Sequence, residues 1–140
     1  MPDYTIETSY HLPAYRHRTY AADTAAAACR QAIEDDDWSG ERLSYESAGE
    51  TFISGIWQGA DAAYSGPPIP LPSQFGETMA RKAQHFEILL GLLKLLLADV
   101  QVGRTSETEW IGRATWAVAR GEAIIAGARD PDAPAGESRP

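Results

Sequence analysis

Residues 77–100 read ETMARKAQHFEILLGLLKLLLADV. Met79, Ala83, Phe86, Leu90, Leu93 and Leu97 recur at helical spacing, which predicts a helix over 77–100 with this stripe in the core. From Ile88 onward Leu92, Leu95 and Leu96 fill other faces, and a helix apolar nearly all round is either central in a core or shared with a second subunit. The apolar run over 88–98 is broken by Lys94 and falls well short of the ~20 residues of a membrane span, so no membrane partner is expected.

Downstream, Gly103 ends this helix, and Ser106 with Glu109 has the spacing of a capping box. A helix over 106–128 follows. Trp110, Ala114, Ala117, Gly121, Ile124 and Ala128 share one face, and Trp116 lies on the opposite one. The two helices form a hairpin in which Phe86, Leu90, Leu93, Leu97, Trp110 and Ile124 are expected in the core. Residues 129–140, rich in Pro, Asp, Gly and Ala, read as a disordered tail.

Upstream, 59–76 is a Pro/Gly connector whose Pro67, Pro68, Pro70 and Pro72 favour an extended chain. The stretch before it is rich in strand signals. Tyr4, Ile6, Thr8 and Tyr10 alternate with Thr5, Glu7 and Ser9, and 15–20, 42–46 and 51–58 read as further strands. Pro13 marks a first hairpin bend, and 47–50 a second. Between the hairpins Asp23 offers an N-cap for a helix over 23–36, whose stripe is Ala25, Cys29, Ala32 and Ile33. The expected fold is therefore α+β: a small, mostly antiparallel sheet with one packed helix, then a two-helix hairpin, in the order β-β-α-β-β-α-α. Residues 1–128 are expected to form one domain.

The formal net charge is −8, with −7 of it in residues 1–72, +1 in 73–129 and −2 beyond. Nucleic acid as a direct partner is disfavoured, because binding it requires Lys and Arg to displace counterions. A basic protein surface is the expected partner. One cysteine, Cys29, excludes an intrachain disulfide and a cysteine zinc site, and a reducing cytosol is the expected home. The first residues, Met1-Pro2-Asp3-Tyr4, lack the pattern of a signal peptide.

Glu34, Asp35, Asp36 and Asp37 sit at the C-terminus of a predicted helix, where the helix dipole disfavours acids. Their spacing is not that of a calcium loop. They are the leading partner-binding residues, with Trp116 as an interface anchor. A homodimer through Leu92, Leu95, Leu96 and Trp116 would cover apolar positions left off the core stripes. His11 and His17 flank the first bend and are the alternative site, for a small ligand or a reaction. No catalytic residue, metal site or cofactor is assigned, since no phosphate loop, nucleophile elbow or zincin motif is present.

Ala22-Asp23 opening a helix with Ala25, Ala28 and Ile33 inward, preceded by two strands and followed by more, resembles the DpnD/PcfM-like group of short β-β-α-β proteins. The group comprises accessory proteins of bacterial phages and conjugative elements. The resemblance covers residues 1–58 and implies a mobile-element context in which inhibitors of host defence occur. It implies no catalytic residues. The function expected from all this is a non-enzymatic acidic binding protein.

Overall fold

The computed structural model describes residues 1–134. The fold is α+β, with small antiparallel sheets followed by a helix hairpin. Four strands are present: β1 (Tyr4–Ser9), β2 (Ala14–Tyr15), β3 (Arg42–Leu43) and β4 (Phe52–Gln58). Three helices join them: α1 (Ala25–Glu34), α2 (Thr78–Gln101) and α3 (Thr108–Ala126). Short 3-10 turns form at Tyr45–Ser47 and Ser73–Phe75. None of these helices is long and apolar enough to cross a membrane.

The strand pairing is nested. β1 pairs antiparallel with β4, and β2 with β3, so neither expected hairpin forms. The inner strands are two residues long because Arg16 and Arg18, expected in a strand, turn their side chains to the end of α1. After Leu43 the chain enters the 3-10 turn at Tyr45. The bends at 13 and 47–50 close on each other instead, through Ser44 N–H to Pro13 O and Gly49 N–H to His11 O. The chain gathers into two compact units: Tyr10–Glu50, and Met1–Ser9 with the chain from Thr51 onward.

In the Tyr10–Glu50 unit, α1 starts at Ala25, with the Thr24 hydroxyl rather than Asp23 accepting the capping bond, from Ala27 N–H. Ala27, Ala28 and Ala32 are half-buried, whereas Ile33 and Cys29 are exposed. The inward stripe is thus shifted from the expected one.

In the other unit, the β1/β4 ribbon presents Thr5, Glu7 and Ser9 on its covered side and exposes Tyr4 and Ile6. Trp57 is buried and lies across Gly55, where an added Cβ would stand 2.3 Å from the ring. The Pro-rich connector adds to β4 as a third line of chain, through Gln58 N–H to Pro67 O and Ile69 N–H to Ile56 O. Helices α2 and α3 pack as the expected hairpin.

Both end in Schellman motifs. Gly103 and Gly127 take left-handed φ values of 68° and 67°, which glycine adopts without a Cβ penalty. Each motif closes with the next residue donating to Asp99 O or Ala123 O. The Ser106–Glu109 capping box does not form. Glu107 is the N-cap, without a side-chain bond, and Ser106 instead bonds the Asp99 carboxylate beside Arg104. Of the expected tail, 135–140 lie outside the described residues, and the start is tied down at Asp130.

The predicted core is largely misplaced. Ile124 is 2% exposed and Trp110 half-buried, but Phe86 and Leu93 are each 63% exposed, Leu97 51% and Leu90 40%. The buried residues of α2 are instead Arg81, His85 and Asp99. They share a face with Ile88 and Leu92, so most of the strongest apolar stripe lies outside the face packed on α3, with Phe86 at its edge beside Gly121, Ile124 and Ile125.

Candidate functional site

Three arrangements hold chemistry or surface. The first is the acidic end of α1. Arg16, nearly buried, reaches Ala32 O at 2.9 Å, Asp35 O at 2.5 Å and Asp37 O, and lies 4.1 Å over the Trp38 ring. Arg18 bonds Asp35 Oδ2 at 3.0 Å and pairs with Asp37 at 3.5 Å, and the Tyr20 hydroxyl donates to Asp35 at 2.7 Å.

The bonds from Tyr20, Asp37 N–H and Arg18 hold the Asp35 carboxyl at about 2. The acids that seemed to oppose the helix dipole are thus answered inside the unit. Two guanidinium groups supply the positive charge that a helix C-terminus favours. Asp35 and Asp37 are structural anchors, although Asp37, like Glu34 and Asp36, is exposed. His17 packs on Tyr15 at 5.5 Å between ring centroids, and His11 contributes its carbonyl to Gly49 N–H. Among the described residues no group of three or more His, Cys, Asp or Glu is placed to hold a metal ion.

The second arrangement, which the sequence reading missed, is a polar chain inside the α2/α3 hairpin. His85 is 2% exposed. Its Nδ1 lies 2.9 Å from Arg120 Nη1, and its Nε2 lies 2.6 Å from Ala117 O. A guanidinium only donates, so Nδ1 accepts and Nε2–H donates to the carbonyl. Arg120 and Arg81 both grip Asp130, at 3.1 and 2.7 Å. Burial pushes the Asp130 carboxyl up, but the two guanidinium bonds outweigh it and hold it below the usual range.

Trp116 meets His85 edge-on at 6.2 Å, lies under Arg120, and donates Nε1–H to Pro131 O. It is therefore half-buried within the hairpin rather than on an outer face. With Ile88, Leu92, Leu95 and Trp110 it lines a cleft of about 330 Å³ between the helices. Of the residues expected to form a dimer surface, Leu92, Leu95 and Trp116 line this cleft. The composition of the chain, with Asp130 more than forty positions from Arg81, carried no spacing signal for this network.

The third is surface. Large apolar side chains are exposed on it: Tyr4 and Ile6 on the ribbon, and Met79, Phe86, Leu93, Leu97 and Val100 along α2. On the ribbon's other side the Glu7 carboxylate accepts from the Tyr64 and Ser54 hydroxyls, which hold its pKa below the ordinary value. Tyr64 reaches it from a left-handed backbone, φ 61°.

No protein-family model matches the chain, and no curated protein or solved structure matches it either.

Proposed function

We propose that this protein is a non-enzymatic binding protein whose working surfaces are the apolar faces of the β1/β4 ribbon and of α2. The observation that carries this reading is the set of large apolar side chains left exposed, Tyr4 and Ile6 on the ribbon and Met79, Phe86, Leu93, Leu97 and Val100 along α2. Contiguous exposed apolar surface of this kind marks sites of association. The polar groups that look most like chemistry, His85, Arg120 and Asp130, are spent on holding the hairpin together. In this reading the excess negative charge of residues 1–72, with Glu34 and Asp36 exposed, steers the protein toward basic partners in a reducing compartment, where Cys29 stays a free thiol.

The test is site-specific photocrosslinking in the native cell, with benzoylphenylalanine at Ile6 or at Leu93. A protein adduct of discrete mass at either position is the expected result. Absence of any protein adduct at both positions would overturn the reading.

A further inference from the structure

The apolar stripe that lies mostly outside the face of α2 packed on α3 has a regular spacing. Met79, Ala83, Phe86, Leu90, Leu93, Leu97 and Val100 follow one another at alternating steps of four and three residues, the a/d repeat of a coiled coil sustained over three heptads. All of these positions are exposed in the chain, Val100 at 73% and Met79 at 69%. The opposite face carries Arg81, His85, Ile88, Leu92, Leu95 and Asp99 at the same alternating spacing, and that face is met by α3. So α2 carries two seams, of which one is occupied.

Resting on the binding reading above, we propose that the outer seam is covered by a second copy of this chain, with α2 pairing antiparallel to α2. Two features choose this occupant. The first is layer volume. An antiparallel register sets Ala83 against Val100, Phe86 against Leu97 and Leu90 against Leu93, so each layer joins a larger and a smaller or equal side chain. A parallel register would stack Phe86 on Phe86 and Ala83 on Ala83, one layer overfilled and one empty, which close packing disfavours. The second is charge. Glu87 and Lys94 flank the seam on one side, and in the antiparallel register Glu87 of each copy faces Lys94 of the other, twice across the dyad. Leu89, 41% exposed, widens the apolar strip on the other flank. The result is a four-helix bundle of two hairpins.

Sedimentation equilibrium is the primary measurement. The wild-type chain is expected to behave as a dimer at micromolar concentration, and Leu90→Glu with Leu93→Glu as a monomer. Because that pair of changes is severe, charge reversal provides the gentler arm. Glu87→Lys alone and Lys94→Glu alone should each weaken the dimer about tenfold, and the two together should restore it. A parallel seam would instead pair Lys82 with Glu87, so the double swap would not rescue it. Failure of rescue overturns the antiparallel pairing. A wild-type dimer indifferent to all four variants overturns the seam as interface. A wild-type monomer at high micromolar concentration overturns the second copy as occupant. Benzoylphenylalanine at Leu93 then separates the two readings. An adduct with a foreign protein keeps the binding function and rejects self-pairing, while no adduct there or at Ile6 rejects both.

Discussion

Replacing Arg16 with Ala tests how the acidic end of α1 is built. The side chain is almost wholly covered and makes three bonds to carbonyls at or beyond the helix C-terminus, besides stacking on Trp38. Those carbonyls have no helical partner of their own. The bonds to Ala32 O and Asp35 O are part-buried, and at about 1.5 kcal/mol for each hydrogen bond from a charged donor they contribute about 3 kcal/mol. The bond to Asp37 O is exposed, so water replaces it at little loss. The contact with Trp38 adds about 0.5 kcal/mol. Arg16→Ala should therefore destabilise the Tyr10–Glu50 unit by roughly 3.5 kcal/mol. Arg16→Lys should recover less than half of that, because an ammonium is a point charge without the planar fork.

The measurement is urea unfolding followed by NMR through the Ala28 and Ala32 amides. Asp35→Asn should lower the midpoint too, while Asp36→Asn should leave it in place. Charge patterning alone predicts that neutralising these acids leaves stability equal or improved. The pH dependence has a definite sign. Asp35 titrates at about 2 in the folded chain against 3.8 ordinarily, so its contribution is complete above 3.8 and is lost as pH falls from there toward 2. The Asn variant should lack that acid limb. An unchanged midpoint for Arg16→Ala, or identical acid limbs for wild type and Asp35→Asn, would refute this account.

Further outcomes follow from the other unit. Tyr64→Phe should raise the Glu7 pKa toward 4.5, since the Tyr64 hydroxyl is the main cause of its lowering; carboxyl carbon NMR reads this directly. His85→Leu should cost about 1–3 kcal/mol in thermal unfolding, because Arg120 loses an acceptor inside the hairpin, and in the wild-type chain the imidazole nitrogens should show the Nε2–H tautomer by 15N shift. Gly55→Ala should cost about 1–3 kcal/mol, since its Cβ would lie 2.3 Å from the Trp57 ring with no flexible neighbour to yield; calorimetry of the variant checks it.

Much of the local structure is legible in the residues. Tyr4–Ser9, Phe52–Gln58 and all three helices lie where alternation and helical spacing predict them. The pairing of strands is not, because Pro13 and Ser47-Ala48-Gly49-Glu50 look like hairpin turns from composition alone, and nothing local says that the two bends bond to each other. The acidic run at 34–37 is legible as an anomaly but not as an answered one. Its partners, Arg16 and Arg18, are about twenty positions upstream in what reads as a strand. The same limit hides the His85, Arg120 and Asp130 chain, whose members meet only once the hairpin closes.

The reversal of α2 is of a different kind. A heptad stripe states that a face is to be buried, and states it equally for a partner in the same chain and for one outside it. What decides is the rest of the intrachain supply. Helix α3 carries Trp110, Trp116, Ala117, Gly121 and Ile124 toward its neighbour. It takes the seam in which Arg81 and His85 find Asp130, Arg120 and Ala117 O, because a buried guanidinium or imidazole left without partners costs more than an uncovered leucine. Leucines exposed to water on the other seam lose only the area term, which a second surface restores on association. Polar satisfaction therefore chooses the inner face of α2 and leaves its most apolar face outward. The strongest apolar stripe in the sequence is thus the one the chain leaves exposed.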